Sequence, residues 1–337
     1  MNAARIKALA AEHGFQLSGI ASAVPHADAG RYLDWVDRGM AGAMGYLTDR
    51  RADLRRDPRL LLPTARSIVC VGLLYNRPEP YGGSISRYAC GDDYHDVLRE
   101  KLERLAGSMG THDYKICVDT APLLERSYAR EAGLGWIGKN TCLIHEPLGS
   151  WFFLGEILTS LVLEPDAPPP DRCGTCTRCI DACPTQAIVD GGYTLDARLC
   201  ISYYTIELRG PIPEEARPSI GHHVFGCDIC QDVCPWNRRA PVTDEPAFEA
   251  GNSETPLEEM AALSEAEFRV RFGNSPVKRA KYAGFLRNVA IAMGNSGNAK
   301  FRAPLEHLAA APDPLVSDAA RWALRRPDAH GLVNESS

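Results

Sequence analysis

The segment CGTCTRCIDACP, residues 173–184, places four cysteines in eleven positions and ends in a cysteine followed by a proline. The spacing Cys-x2-Cys-x2-Cys-x3-Cys-Pro is that of bacterial ferredoxins, in which it holds iron–sulfur clusters. A further group of cysteines lies between residues 200 and 235 and also ends in Cys-Pro. The middle of the chain therefore contains both halves of a ferredoxin-like module that holds two 4Fe-4S clusters.

The ligands of the two clusters are expected to cross between the halves. In two-cluster ferredoxins the cysteine that precedes the proline ligates the other cluster. The expected ligands of cluster 1 are Cys173, Cys176, Cys179 and Cys234. The expected ligands of cluster 2 are Cys183, Cys200, Cys227 and Cys230. Two clusters so close together predict a one-electron conductor that delivers electrons to another group.

Two zinc sites of four cysteines each are the alternative, because Cys-x2-Cys pairs also bind zinc. Three ligands at successive x2 spacings and the paired Cys-Pro ends favour iron–sulfur clusters. The remaining four of the twelve cysteines are scattered through the first half and are expected to pack as small apolar side chains. They are Cys70, Cys90, Cys117 and Cys142.

The composition is that of a soluble globular protein, with 45% hydrophobic and 24% charged residues in 337. No signal peptide, twin-arginine pair or membrane-spanning apolar run is evident, so we expect a cytoplasmic protein without a membrane partner. The net charge of −6 argues mildly against a nucleic-acid partner. Basic residues nevertheless cluster, at residues 50–56, 238–239 and 278–287, and either a basic face or ordinary solvated surface is consistent with them.

Three domains are predicted within an overall α+β architecture. Residues 1–165 alternate strand and helix patterns, including strands at 67–75 and 114–122, and are expected to form an α/β domain. Four prolines at residues 165–170 indicate an extended linker into a ferredoxin-like domain, residues 166–245. Residues 246–337 resemble antiparallel helix pairs of the kind found in HEAT-like repeats.

The glycine-rich segment GLGWIGKN, residues 133–140, matches G-x-G-x-x-G and nearly matches a P-loop. Both nucleotide-binding motifs require a strand before the glycines and a helix after them. The preceding residues have a helical pattern, and Asn140 stands where a P-loop has Ser or Thr. A turn that approaches another flat or bulky ligand is the preferred interpretation.

Asp119 follows a predicted strand in the segment VDTAPLLER. Catalytic groups of α/β folds often lie at the end of a strand. An aspartate before Thr-Ala-Pro is also a common helix N-cap. The residues alone leave both roles open.

Five segments together resemble the epoxyqueuosine reductase family over nearly the whole chain. They are ISRYACGDDYH (85–95), DTAPLLERSYAREAGLGWIGKNT (119–141), the eight-cysteine module, CISYYTIELRGPIP (200–213) and KRAKYAGFLRNVAIAMGN (278–295). The resemblance implies a cobalamin-binding N-terminal domain and two 4Fe-4S clusters. It implies reduction of epoxyqueuosine to queuosine in tRNA with a GUN anticodon, the last step of queuosine biosynthesis, with an external electron donor. A monomer is the expected state.

The resemblance also implies site residues. Asp119 matches the proton donor of the family. The positions expected near cobalamin are Arg87, Tyr88, Asp119, Lys139, Asn140, Ser202 and Tyr203. The positions expected to contact tRNA are Arg209, Lys278, Arg279, Lys281 and Arg287.

Two expectations concern the chemistry of that site. Cob(I)alamin would supply the reducing centre and Asp119 the proton, so we expect burial to raise the pKa of Asp119. Asp93-Tyr94-His95 begins the Asp-x-His-x-x-Gly motif of proteins that ligate cobalt through histidine, but Leu98 replaces its glycine. A base-off cobalamin without a protein imidazole on cobalt is therefore expected.

Two other functions use similar parts. A corrinoid reductive dehalogenase also combines cobalamin with two clusters, but the expected export signal and membrane partner are missing. A ferredoxin-type electron carrier has no substrate of its own, and the predicted N-terminal and C-terminal domains exceed what a carrier needs.

Overall fold

The computed structural model describes residues 1–77, 83–249 and 255–326. Residues 250–254 and 327–337 of the predicted third domain lie outside the described residues. The strands are β1 Leu17–Ser22, β2 Ser67–Leu74, β3 Tyr114–Cys117, β4 Trp136–Ile137, β5 Leu143–Ile144, β6 Phe152–Thr159, β7 Ile188–Val189 and β8 Thr194–Leu195.

Helices occur along the whole described chain. They are α1 Ala3–Glu12, α2 Asp28–Asp37, α3 Gly45–Thr48, α4 Arg51–Leu54, α5 Tyr94–Ser108, α6 Glu125–Glu131, α7 Arg178–Asp181, α8 Arg217–Ile220, α9 Ile229–Asp232, α10 Leu257–Ala262, α11 Glu265–Phe272, α12 Tyr282–Ser296, α13 Arg302–Ala309 and α14 Pro314–Leu324. Tyr203–Glu207 form a π-helical turn. Within the described ranges, no helix is both long enough and apolar enough to cross a bilayer.

The N-terminal part contains a four-stranded sheet in the order β1-β2-β6-β3. Its three strand pairings are all antiparallel, and helices cover both faces of the sheet, which agrees with the predicted mixture of helix and strand. Every residue of β2 is buried, because α1 and α5 cover one face of the sheet and α6 covers the other.

The glycine-rich segment runs from the end of helix α6 through strand β4 into the turn of the β4–β5 hairpin. This order of helix, glycines and strand is the reverse of a dinucleotide-binding or P-loop motif. The interpretation of residues 133–140 as another kind of turn agrees with this arrangement.

The C-terminal helices share one hydrophobic core with the cysteine module. Helix α12 packs against α14 and α8, and α13 packs against α14. Their apolar residues join those of residues 197–229 and of a short segment at residues 85–90. A capping box of Ser264 and Glu267 starts α11. The core therefore fixes the helices next to residues 197–229, while the three-domain division stays a prediction.

Candidate active site

Asp119 lies in a strained loop between β3 and α6. Strand β3 ends at Cys117, five residues before the end of the predicted strand at residue 122, so Asp119 lies in the loop that follows it. Asp119 has a φ of 45°, in the left-handed region that non-glycine residues rarely adopt. Helix α6 is preceded by Leu124, so the alternative role of Asp119 as a helix N-cap is wrong. Such strained conformations cluster at functional sites.

An outer cavity of about 910 Å³ opens on one side of this loop. Its walls come from α5, the π-helical turn, α11 and the segment that leads into α12. Its charged lining residues are Asp93, His95, Asp119, Glu207, Glu265, Arg269, Lys278, Arg279 and Lys281. The remaining walls include several aromatic rings. A polar, charged cavity of this size suits an anionic, hydrogen-bonding ligand.

An inner cavity of about 380 Å³ lies on the other side of Asp119. Its apolar walls are Leu143, Phe152, Phe153, Leu154, Ile188 and Leu195. The four thiols predicted to hold cluster 2, called here the second cysteine set, also line it. They belong to Cys183, Cys200, Cys227 and Cys230. Among its described lining residues there is no histidine. The inner cavity thus combines a surface suited to a flat apolar ligand with the thiols predicted to hold cluster 2.

Four residues line both cavities: Tyr88, Tyr94, Asp119 and Ser202. Asp119 is the only ionisable carboxyl among them, and its side chain is half exposed. A group in the inner cavity and a group in the outer cavity would therefore meet beside this carboxyl.

Asp119 belongs to a chain of charged contacts that starts at Lys278. Lys278 Nζ lies 2.8 Å from Asp93 Oδ2, and Asp93 Oδ1 lies 2.7 Å from His95 Nδ1. The opposite ring nitrogen of His95, Nε2, lies 3.1 Å from Asp119 Oδ2. An imidazole held between two carboxylates favours its protonated form.

The pKa values of this chain follow from the contacts. Burial acts to lower the pKa of His95, but hydrogen bonds to Asp119 and Asp93 raise it to about 9. Burial acts to raise the pKa of Asp119, but the hydrogen bond and charge of His95 hold it below its ordinary value. The expectation of a raised pKa for Asp119 is therefore wrong, because the sequence did not reveal its partner. The proton of the pair resides on His95.

His95 is the site residue that sequence reasoning missed. Asp93-Tyr94-His95 was interpreted only as an incomplete cobalt-binding motif. In the structure Asp93 caps α5 by accepting a hydrogen bond from the backbone N–H of His95. An Asp-x-His sequence at a helix start, followed at a distance by Asp119, is a weak signal that could have suggested the pair.

The structure brings the eight cysteines into the two predicted sets. The Cys179 thiol interacts with Cys173, Cys176 and Cys234, the four thiols assigned to cluster 1. In the second set, the Cys227 thiol interacts with Cys200 and Cys183, and the Cys230 thiol with Cys227 and Cys200. Each set thus takes thiols from both halves of the module, which agrees with crossed ligands.

Neither set has the tight geometry of a single metal ion. A structural zinc ion binds thiolates at about 2.3 Å, which draws four sulfur atoms together. In the described ranges, no three His, Cys, Asp or Glu side chains converge as they would around one ion. Cys142, expected to be an ordinary apolar residue, instead lies against Cys230 in the inner cavity.

Among the seven residues predicted near cobalamin, four line the inner cavity. They are Tyr88, Asp119, Asn140 and Ser202. Asn140 also donates a hydrogen bond of 3.3 Å from Nδ2 to the carbonyl oxygen of Cys230. These residues surround the cavity from three separate segments of the chain.

The other three predicted residues do not line the inner cavity, and their contact with cobalamin stays a prediction. Lys139 Nζ donates to the carbonyl oxygens of Gly174 and Cys176 at 2.8 and 3.0 Å, in the loop of cluster 1. The guanidinium of Arg87 lies over the Trp151 ring and 3.0 Å from Asp232.

Tyr203 packs away from both cavities. Its hydroxyl accepts a hydrogen bond of 2.8 Å from the backbone N–H of Ala43. A side chain on the preceding Gly42 would come within 2.7 Å of that hydroxyl, and Gly42 has a φ of 57°. The glycine therefore lets the loop approach Tyr203, whose role is to join two segments of the fold.

The predicted tRNA-contacting residues fall into an exposed or cavity-lining group and one buried residue. Lys278, Arg279 and Lys281 line the outer cavity, and Arg209 is exposed. Lys281 forms no ion pair with any described residue, whereas Arg279 binds Glu207 at 2.6 Å.

Arg287 is only 1% exposed, so its prediction as a surface contact is wrong. Its guanidinium donates to the carbonyl oxygens of Tyr204, Leu208 and Gly210 at 2.6 to 2.9 Å. It fastens α12 to the π-helical turn. Arg287 follows other basic residues in the sequence. The face of α12 on which its side chain lies depends on packing contacts that the sequence did not show.

Two family models match the chain. The model described as "Epoxyqueuosine reductase QueG, DUF1730" matches residues 55–120. The model described as "4Fe-4S double cluster binding domain" matches residues 172–237, which contain both cysteine sets. The cysteine module is thus a double 4Fe-4S domain, and the zinc alternative is wrong.

Several relatives and solved structures are similar over most of the chain. An epoxyqueuosine reductase of Xanthomonas campestris is 44% identical, over 98% of this chain and 96% of that protein. The Escherichia coli epoxyqueuosine reductase is 39% identical, over 87% and 81% respectively. A crystal structure of epoxyqueuosine reductase with an epoxyqueuosine-modified tRNA stem loop has a TM-score of 0.89 at 32% identity, covering 95% of this chain and 88% of that one.

The structure of epoxyqueuosine reductase from Streptococcus thermophilus gives a TM-score of 0.87 at 30% identity, covering 98% of this chain and 92% of that chain. Identity and coverage at this level, together with the family model, place the sequence without ambiguity. The chain belongs to the epoxyqueuosine reductase family.

Proposed function

We propose that this protein reduces epoxyqueuosine to queuosine in the anticodon of tRNA. The observation that carries the proposal is that one carboxyl, Asp119, joins an outer cavity lined by charges of both signs to an inner cavity lined by the thiols predicted to hold cluster 2. A related epoxyqueuosine reductase has been solved with an epoxyqueuosine-modified tRNA stem loop, which supports tRNA as the substrate. The relatives at 39% and 44% identity favour this reaction over reductive dehalogenation and simple electron transfer.

The lining of the inner cavity suits a corrin ring, and its volume of about 380 Å³ would hold part of a cobalamin. The apolar walls suit a flat macrocycle, and Tyr88, Asn140 and Ser202 supply polar groups at the edge of the cavity. When bound, cobalamin supplies a strongly reducing cobalt centre. The thiols of the second cysteine set would place cluster 2 beside it and cluster 1 further out, towards the electron donor.

The proton chemistry belongs to the Asp119–His95 pair. Removing the epoxide oxygen as water takes up two electrons and two protons, and leaves a carbon–carbon double bond. Asp119 donates a proton to the departing oxygen. His95, whose pKa is about 9, holds a proton 3.1 Å away at neutral pH and passes it to Asp119. Lys278 and Asp93 fix the orientation of the imidazole.

The rim of the outer cavity is the proposed tRNA contact. Lys278, Arg279 and Lys281 stand at the start of α12, and Arg209 extends the basic surface beside them. Basic side chains of this kind position a nucleic-acid backbone by its phosphates. Helices α12 to α14 would form a HEAT-like unit that supports this rim, after the catalytic domain of residues 1–165 and the cluster domain of residues 166–245.

Conversion of a synthetic anticodon stem loop that carries epoxyqueuosine tests the proposal. Anaerobic protein with cobalamin and a chemical reductant is expected to form queuosine. The same preparation is expected to leave a bromophenol intact. Debromination without epoxide reduction would support the dehalogenase, and loss of neither substrate would support an electron carrier.

A further inference from the structure

A fully buried acid lies in the centre of the N-terminal sheet. Glu156 in β6 is 0% exposed, and both of its carboxyl oxygens lack a hydrogen-bond partner among the described residues. Burial, reinforced by the charges of Glu125 and Asp119, raises the pKa of Glu156 well above its ordinary value. An unpaired carboxylate is costly in such a place, so Glu156 is a neutral acid.

Glu156 faces helix α6. The strand register places it opposite Cys70 of β2 and opposite Cys117 of β3. Residues that are directly opposite in a sheet point to the same face. On that face Cys70 and Cys117 pack against α6, whose first residue is Glu125.

Glu125 lies near enough to Glu156 for its charge to act on that acid, and it also borders the active site. It lines the inner cavity together with Asp119, and its Oε1 is buried without a partner among the described residues. Its carboxyl accepts a hydrogen bond from the backbone N–H of Asp119. Burial and the charge of Asp119 raise the pKa of Glu125 to about 8.

Few cationic groups lie near these two acids to favour their ionised forms. The groups whose charges act on Glu156 are the carboxyls of Glu125 and Asp119, while the Cys70 and Cys117 thiols lie opposite it in the sheet. Arg126 and His95 act on Glu125 and favour its ionised form. Glu156 is thus the inner, more firmly protonated acid, and Glu125 is the one that can exchange with the cavity.

We propose that Glu125 and Glu156, called here the carboxyl pair, hold a proton inside the protein and return it to Asp119 during turnover. The proposal rests on the role of Asp119 as proton donor. The first proton converts the departing oxygen to a hydroxyl, and the second converts that hydroxyl to water. Two electrons from the clusters complete the reduction. His95 supplies the first proton through Asp119, the carboxyl pair supplies the second through Asp119, and solvent then refills both donors.

Infrared spectroscopy tests the protonation without turnover. Purified wild-type protein at neutral pH is expected to show the C=O stretch of a protonated carboxylic acid in an apolar site. Glu156→Gln and Glu125→Gln are each expected to lose part of that band, and Glu131→Gln, an acid at the end of helix α6, is expected to keep all of it. A band of unchanged intensity in Glu156→Gln would overturn the proposal.

The pH profile of a single turnover tests the role in the reaction. Glu125→Gln and Glu156→Gln in cluster- and cobalamin-loaded protein are expected to match wild type near pH 6, where solvent protons can refill Asp119. Near pH 8 they are expected to be about tenfold slower than wild type. Glutamine closely matches a neutral glutamic acid in shape, so folding should be retained.

Two results separate this proposal from the function that underlies it. A pH profile unchanged in both variants, or a loss of rate that is equal at every pH, would overturn the carboxyl pair as a proton store. Asp119→Asn is expected to be slow at every pH. Full turnover by Asp119→Asn would instead overturn the role of Asp119, whatever the carboxyl-pair variants do.

Discussion

The outer and inner cavities differ in chemistry although they share four lining residues. The outer cavity is lined by charged side chains, most of which are already paired within the protein. The inner cavity has apolar walls and four thiols of the second cysteine set. One cavity thus suits a polar anion from solution, and the other suits a large apolar cofactor that receives electrons.

The difference explains why Asp119 can act as an acid at the junction. It is half exposed, so a substrate in the outer cavity can reach it, and it contacts His95 on that same side. On the inner side the nearest acid, Glu125, is largely desolvated and has no cationic hydrogen-bond partner among the described residues. Charged pairs therefore face the outer cavity, and neutral acids lie behind the inner one.

A substitution confined to the inner cavity is expected to have the largest effect on turnover. Cys200→Ala removes a proposed ligand of cluster 2, so iron content should fall and turnover should be lost. Cys142→Ala removes a thiol of the same cavity that has no proposed cluster role, and it is expected to keep the full iron content. Iron analysis and stem-loop conversion measure both variants; equal iron loss in the two would contradict the ligand assignment.

Changing the shared residue is expected to have the next largest effect. Asp119→Asn keeps the shape of the side chain but removes its proton, and should slow turnover by about 100-fold or more. Iron content, cobalamin binding and stem-loop affinity should stay at the wild-type level. Single-turnover kinetics, with these three properties measured as controls, tests the prediction. A wild-type rate would exclude Asp119 as the proton donor.

A change confined to the outer cavity is expected to weaken binding only. Lys281→Ala removes a cation that has no ion-pair partner among the described residues, so affinity for the stem loop should fall several-fold. The slope of log affinity against log salt should decrease by about 1. Lys300→Ala, an exposed lysine paired with Glu258, is the matched control. An unchanged salt slope in Lys281→Ala would place the phosphate contacts elsewhere.

The smallest effect concerns stability. The folded-state pKa of Glu125 is raised from 4.5 to about 8, so its contribution is fully present below pH 4.5 and is lost as the pH rises towards 8. Glu125→Gln cannot ionise and should therefore gain stability relative to wild type between pH 5 and pH 8. Thermal unfolding across this range measures the difference, with Glu131→Gln as the control. A constant difference would mean that Glu125 is ionised in the folded protein.

The sequence was most informative where spacing alone determines chemistry. The cysteine runs predicted the two thiol sets because short helices and Cys-Pro turns fix their geometry locally. Strand β2 was predicted from its apolar run, but its antiparallel pairing with β1 and β6 depends on contacts between residues far apart in the chain.

Residues whose role depends on a distant partner were predicted poorly. His95 lies 24 positions from Asp119, and only folding brings the two together. Arg287 belongs to a basic segment, yet the carbonyl groups that bind it come from residues 204–210. Lys139 adjoins Asn140 in sequence, but the two side chains point to different cluster regions.

The proposed mechanism requires that a cofactor in the inner cavity and a substrate in the outer cavity meet at Asp119. Electron paramagnetic resonance of cobalamin-loaded protein in the Co(II) state tests this claim. Saturating stem loop with epoxyqueuosine is expected to change the cobalt spectrum, and a stem loop with guanosine at the wobble position is expected to change it less. A cobalt spectrum that is identical with and without bound epoxyqueuosine stem loop would contradict the account.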